Sequence, residues 1–136
     1  MTPATLDLSA PRHAPFFFTI DFEGYDFSSA TFDMEVREYY DAPGSGLIVL
    51  DEQTAGTQGI SCTVAEVDGV DVSSVLIQID EATLEALYPF SVTSGSPNRT
   101  PGSDVTLYYD LAITGGGLPK TIWTRGKFVI QAGSTQ

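Results

Sequence analysis

The chain has 136 residues, enough for one domain that buries a full core without metals or disulfides. Eighteen acidic residues stand against six basic ones, a net charge of −12 with the single histidine neutral, and such a surface repels phosphate backbones. Nucleic acid is therefore not an expected partner, although Lys120, Arg125 and Lys127 lie close in sequence, and the lone Cys62 rules out an intrachain disulfide.

The opening MTPATLDLSAPRHAP lacks the basic start and apolar core of a secretory signal. No apolar run approaches the ~20 residues of a membrane span, so a soluble domain is expected. Pro3, Pro11 and Pro15 fix φ and remove backbone donors, which predicts an extended arm or edge strand over residues 1–15. From there the hydrophobic period is two. In PFFFTIDFEG, Phe16, Phe18, Ile20 and Phe22 share one face while Thr19, Asp21 and Glu23 share the other. In TFDMEVRE, Phe32, Met34 and Val36 point inward and Asp33, Glu35 and Arg37 outward. DAPGSG (41–46) reads as a loop, LIVLDE as a short strand and AGTQG as a turn. ISCTVAEV and VDVSSVLIQI flank Asp68-Gly69, the dipeptide suited to a two-residue hairpin because both positions accept φ > 0.

DEATLEALYP predicts the one helix, with Asp80 capping its free N–H groups, Glu81 at the positive end of the dipole, Pro89 ending it, and Leu84 and Leu87 facing the core. A Ser-, Gly- and Pro-rich loop follows. The closing hairpin turns at Gly115-Gly116-Gly117. Val105, Leu107, Tyr109, Leu111 and Ile113 share its inner face; Thr106, Tyr108, Asp110 and Ala112 share the outer one. On the return strand Ile122, Phe128 and Ile130 are expected inward, with Gly126 as the bulge that shifts register between them. Phe17, Tyr108 and Trp123 are then placed outward, available for contact; the alternative, that they cover a second packing surface within the chain, stays open. Seven or eight strands with turns roughly every ten residues predict an all-β, immunoglobulin-like antiparallel β-sandwich over residues 16–134, with a small closed barrel as the alternative.

The carboxylates invite a search for acid–base chemistry. Asp21, Glu23, Asp26, Asp33 and Glu35 crowd the first two long strands, but a catalytic acid needs an apolar pocket and these alternate with core residues. They read as a solvated face that opposes edge-to-edge association. Glu66, Asp68 and Asp71 bracket a turn without the spacing of a twelve-residue calcium loop. His13 lies in the arm, no Gly-x-Ser-x-Gly elbow occurs, and Asp21-Phe22-Glu23-Gly24 lacks the rest of a kinase signature. Gly44-Ser45-Gly46 and Gly115-Gly116-Gly117 precede no helix and so cannot offer a helix N-terminus to phosphate. Asn98-Arg99-Thr100 spells a glycosylation acceptor without a secretory signal. Cys62, in an apolar run, reads as a small buried hydrophobe. No catalytic residue, cofactor or metal site is expected.

The order of elements carries more than any single motif. SSATFDMEVRE with Arg37 near its end is followed by the strand LIVL and then by LIQIDEATLEAL, a strand running into a short helix at Asp80 to Leu87. A Tyr109-Asp110-Leu111 strand pairs with one holding Gly126 before Phe128 to Ile130. Over residues 16–134 this order resembles small bacteriophage virion proteins related to the N-terminal domain of phage upper-baseplate proteins. The resemblance implies an immunoglobulin-like sandwich without enzymatic activity, acting as an assembly module.

The function expected on that basis is a structural subunit of a tailed-phage virion, in the tail tip, baseplate or a fibre attachment, made in the host cytoplasm. Its partners are then other virion proteins and copies of itself, with neither nucleic acid nor membrane involved. Phe17, Tyr108, Trp123, Pro11 and His13 are the expected protein-interface residues. A capsid decoration subunit is the alternative. A carbohydrate-binding module, with Trp123 and Tyr108 forming a platform across the closing hairpin, is the reading from a different class.

Overall fold

The computed structural model describes residues 3–52, 58–87 and 104–131. The elements run β1 (Ala4–Thr5), β2 (Leu8–Pro11), β3 (Phe16–Glu23), β4 (Thr31–Arg37), β5 (Ile48–Leu50), β6 (Gly59–Val67), β7 (Val70–Ile79), α1 (Glu81–Ala86), β8 (Val105–Gly115) and β9 (Leu118–Gln131). They form two sheets. One is ordered β1-β9-β8-β4-β5 with β2 also on β9; the other is β3-β7-β6. Among the described residues a single bridge between Glu52 and Ile60 joins them. The all-β sandwich expected from the alternating sequence is thus observed, and not a closed barrel. No described helix is long and apolar enough to cross a membrane.

Period-two patterning decides which residues fill the space between the sheets. Phe32, Met34 and Val36 of β4, the odd residues from Val105 to Ile113 of β8, and Val75, Ile77 and Ile79 of β7 are all buried. Phe16 and Phe22 are buried as well, with Phe18 and Ile20 half-covered beside them. Edge-to-face ring pairs connect the layers, Phe16 with Phe128 at 5.3 Å and Phe22 with Trp123 at 5.4 Å, so β3 lies over β9. The β6–β7 hairpin closes as predicted: Val67 pairs with Val70, and Asp68 and Gly69 take φ of 52° and 80°.

α1 buries Leu84 and Leu87 as expected, but Asp80 caps it by position alone, without a side-chain hydrogen bond. Gln58 instead anchors the entry to the helix. Its Oε1 accepts the Asp80 backbone N–H at 2.9 Å and the Thr83 hydroxyl at 2.8 Å. Pro89, the loop to Ser103 and Asn98-Arg99-Thr100 lie outside the described residues.

The closing hairpin departs from the sequence reading in one connected way. Leu111 pairs with Thr124 and Ala112 with Ile122, so Trp123 is the extra residue and the bulge sits there, not at Gly126. Before the bulge Ile122 sits opposite Ala112 and leaves the inner row it was assigned; after it Thr124, Phe128 and Ile130 are buried. The bulge turns the Trp123 indole inward, where it packs against Phe22, Tyr25 and Phe27 with centroids 4.9–5.7 Å apart. Trp123, expected outward, is a core-flanking residue.

Gly126 has a different purpose. The N-terminal residues form an edge strand parallel to β9 in one constant register, Ala4 opposite Thr124 and Leu8 opposite Phe128, broken only at Leu6 and Asp7. At that break the chain presses onto Gly126: a Cβ there would meet the Leu6 carbonyl oxygen at 2.5 Å and Asp7 Oδ1 at 2.8 Å. Leu6 N–H still donates to Arg125 O, while its carbonyl accepts from the Tyr109 hydroxyl at 2.6 Å. Asp7 Oδ1 in turn accepts the Lys127 backbone N–H at 3.0 Å. Tyr109 is the cross-strand neighbour of Gly126, so its ring passes the residue that has no side chain. Burial raises the Tyr109 pKa above its ordinary value, with the Thr124 hydroxyl partly opposing that.

Candidate functional site

The outer face of the larger sheet is built from lateral rows fixed by register. Arg37, Tyr108 and Lys127 lie across β4, β8 and β9 in one row; Glu35, Asp110 and Arg125 lie in the next. β4 alternates Phe32, Met34 and Val36 inward, and the same alternation sends Asp33, Glu35 and Arg37 out. On β9 the Trp123 bulge brings Arg125 and Lys127 onto this face. Four of the six Lys and Arg, namely Arg37, Lys120, Arg125 and Lys127, belong to it.

The loop after β4 folds back over these rows and makes a concave site. Arg37 holds it there, donating through Nη1 to the Ala42 and Gly44 carbonyls at 2.8 and 2.6 Å and through Nη2 to Glu35 Oε1 at 3.0 Å. Asp41 takes the left-handed conformation, φ 60°, which reverses the chain after Tyr40. Tyr40 then lies against the Tyr108 ring at 5.0 Å, with the Arg125 guanidinium 4.0 Å from its centroid. The resulting cleft, about 390 Å³, is lined by Glu35, Arg37, Tyr40, Asp41, Tyr108 and Asp110 among others. Burial, reinforced by the Glu35 charge, raises the Asp110 carboxyl above its ordinary value, and Arg125 partly offsets this. Chemically the site offers a tilted tyrosine pair, guanidinium groups and half-covered carboxylates.

The five expected interface residues do not converge. Phe17 is 56% exposed on β3 of the smaller sheet. Tyr108 is on the outer face of the larger sheet, and Trp123 is inside, so the expected Trp123–Tyr108 platform does not form. Pro11 is exposed at the end of β2. His13 follows it and its Nδ1 lies 2.6 Å from Glu85 Oε2, tying the arm to α1.

The crowded carboxylates separate too. Asp21 and Glu23 belong to β3 in one sheet, Asp33 and Glu35 to β4 in the other, and Asp26 to the connection between them. Ser28 hydrogen bonds lower the Asp26 pKa. No three described His, Cys, Asp or Glu side chains gather in a way that holds a metal ion. Cys62 is only half-buried; desolvation pushes its thiol pKa up, the opposite of an activated thiolate.

Tyr40 and Arg125 were not singled out together by sequence reasoning. They are 85 positions apart, and only the Arg37 anchoring of the loop brings them into contact. The signal available was an outward Arg37 a few residues before the DAPGSG loop, whose backbone carbonyls are not committed to a strand ladder. Searches against family models and curated proteins find no match to this sequence.

Proposed function

We propose that the chain is a non-enzymatic structural subunit of a tailed-phage virion, an assembly module of the tail tip, baseplate or a fibre attachment. The virion setting and the immunoglobulin-like reading of the sandwich rest on the ordered resemblance over residues 16–134. The observation that supports a contact role is the Tyr40–Tyr108–Arg125 cluster beside Arg37 on the outer sheet face. Tyr and Arg are enriched where proteins bind one another, because they bury large areas with rigid planar groups. Here the Arg37 bonds to the Ala42 and Gly44 carbonyls hold the loop that carries Tyr40, and strand register places Tyr108 and Arg125, which lowers the ordering cost of an interface.

Quantitative mass spectrometry of purified particles with cryo-electron microscopy tests the proposal. A fixed small copy number at the tail under rotational symmetry is the expected result. Hundreds of copies over the head would replace it with a decoration subunit, and absence from the particle would overturn the virion role.

A further inference from the structure

Two surfaces left unused by the fold complement each other. The first is the tip of the β6–β7 hairpin. Every residue from Ala65 to Asp71 is exposed, so the ribbon runs beyond the packed layers. It carries Val67 and Val70, 53% and 45% exposed, as a cross-strand pair, with Glu66 opposite Asp71 and Asp68 in the turn. The valine pair therefore faces one side of the ribbon and the Glu66–Asp71 pair the other, and none of the three carboxylates has a described cation within ion-pair distance.

The second is a groove of about 470 Å³ on the larger sheet, beside the cleft described above. Pro3, Leu118, Pro119 and Ile122 give it an apolar lining, and Lys120 and Arg125 give it positive charge. Asp110 also borders it, in register with Arg125. Lys120 is 65% exposed and only 3.9 Å from Asp33, a loose pair that leaves its ammonium available. This groove exists because the Trp123 bulge moves Ile122 outward and because the arm places Pro3 beside β9.

We propose that the β6–β7 tip of one copy docks in the Leu118–Ile122 groove of a second copy. The occupant is another copy of this chain because tip and groove match twice over, valines to an apolar lining and carboxylates to cations. Tip and groove are different surfaces, so the contact either pairs two copies reciprocally about a two-fold axis or propagates head to tail into a ring or a row. This deepens the assembly reading and rests on it for its biological setting, but the contact stands or falls on the purified chain.

The test uses the full chain in sedimentation-velocity and light-scattering measurements from low to high salt. Wild type should self-associate at about physiological salt, where the repulsion between copies of charge −12 is screened, and weaken at high salt, where the tip–groove charges are screened as well. Lys120→Glu in the groove, and Glu66→Lys with Asp71→Lys in the tip, should each weaken association about tenfold or more, with melting temperatures unchanged. A mixture of the two variants should restore it, because the groove now carries the acid and the tip the cations. A wild type that stays monomeric at every salt concentration, at its highest soluble concentration, overturns the proposal. So does association that ignores both variants, or a mixture that fails to recover. Those failures leave the virion reading standing, since particle composition decides that separately.

Discussion

Replacing Gly126 by Ala isolates the contact that holds the N-terminal strand. Gly126 is outside the left-handed region, so Ala meets no backbone penalty and the effect is steric. The added methyl would lie 2.5 Å from the Leu6 carbonyl oxygen, and ordinary contact begins at 3.4 Å, so the carbonyl must retreat by 3.4 − 2.5 = 0.9 Å. Three hydrogen bonds converge there, from Tyr109 Oη to Leu6 O, from Leu6 N–H to Arg125 O and from Lys127 N–H to Asp7 Oδ1. Losing two costs about 1 kcal/mol each, and a buried tyrosine hydroxyl left unpaired adds about 1–2 kcal/mol more. The expected loss is about 3 kcal/mol, or roughly 10 °C in Tm for a chain of this size. Urea unfolding measures the first and thermal melting the second. Tyr109→Phe alone should cost about 1–2 kcal/mol, and the double variant should fall short of the sum by about 1 kcal/mol, because both changes act on one contact. A Gly126→Ala protein within about 0.5 kcal/mol of wild type would refute the reasoning, as would strict additivity.

The same packing sets three further outcomes. Trp123→Ala should destabilise by about 2–4 kcal/mol in denaturant unfolding, since the indole contacts three aromatic rings while remaining part-exposed; an unchanged melting temperature would return Trp123 to the surface. Gly69→Ala should cost about 1–2 kcal/mol in thermal melts although nothing lies within 4 Å of the new methyl, because φ there is 80°. Asp110→Asn should raise Tm at pH 7 and leave it unchanged near pH 3. The Asp110 pKa is raised from 3.8, so its contribution to stability is complete below that value and is lost as pH rises through the folded-state pKa; removing the charge recovers it only where the charge exists. A gain that persists at pH 3 would contradict the electrostatic cause.

Residues whose environment is set by alternation were legible in the sequence. Phe32, Met34 and Val36 could be assigned inward from their neighbours alone, and Asp68-Gly69 announced its turn through the conformations it tolerates. The misassignments came where a non-local contact overrides the period. Gly126 resembles a bulge residue because glycine in a strand signals either a bulge or a close backbone approach, and only the partner 120 positions earlier decides between them. Once the bulge is placed three residues too late, Ile122 and Trp123 exchange sides. The candidate site was half legible: Tyr108 and the outward Arg37 follow from alternation, whereas Tyr40 reaches Arg125 only through a loop whose path depends on side-chain to carbonyl bonds.

Charge distribution gives the proposed self-contact a direction. Copies carrying −12 repel one another at any approach closer than a Debye length, about 8 Å at physiological salt. Random collisions therefore meet an electrostatic barrier, and orientations that bring acidic surfaces together are penalised most. The face formed by β4, β8 and β9 holds four of the six cations, while the β6–β7 tip holds carboxylates alone. The approach of tip toward groove lowers the repulsion, because it brings carboxylates against Lys120 and Arg125. An unequal distribution of a large net charge thus discourages aggregation and selects one oriented self-contact at the same time, with the apolar match supplying adhesion once the charges have aligned the copies.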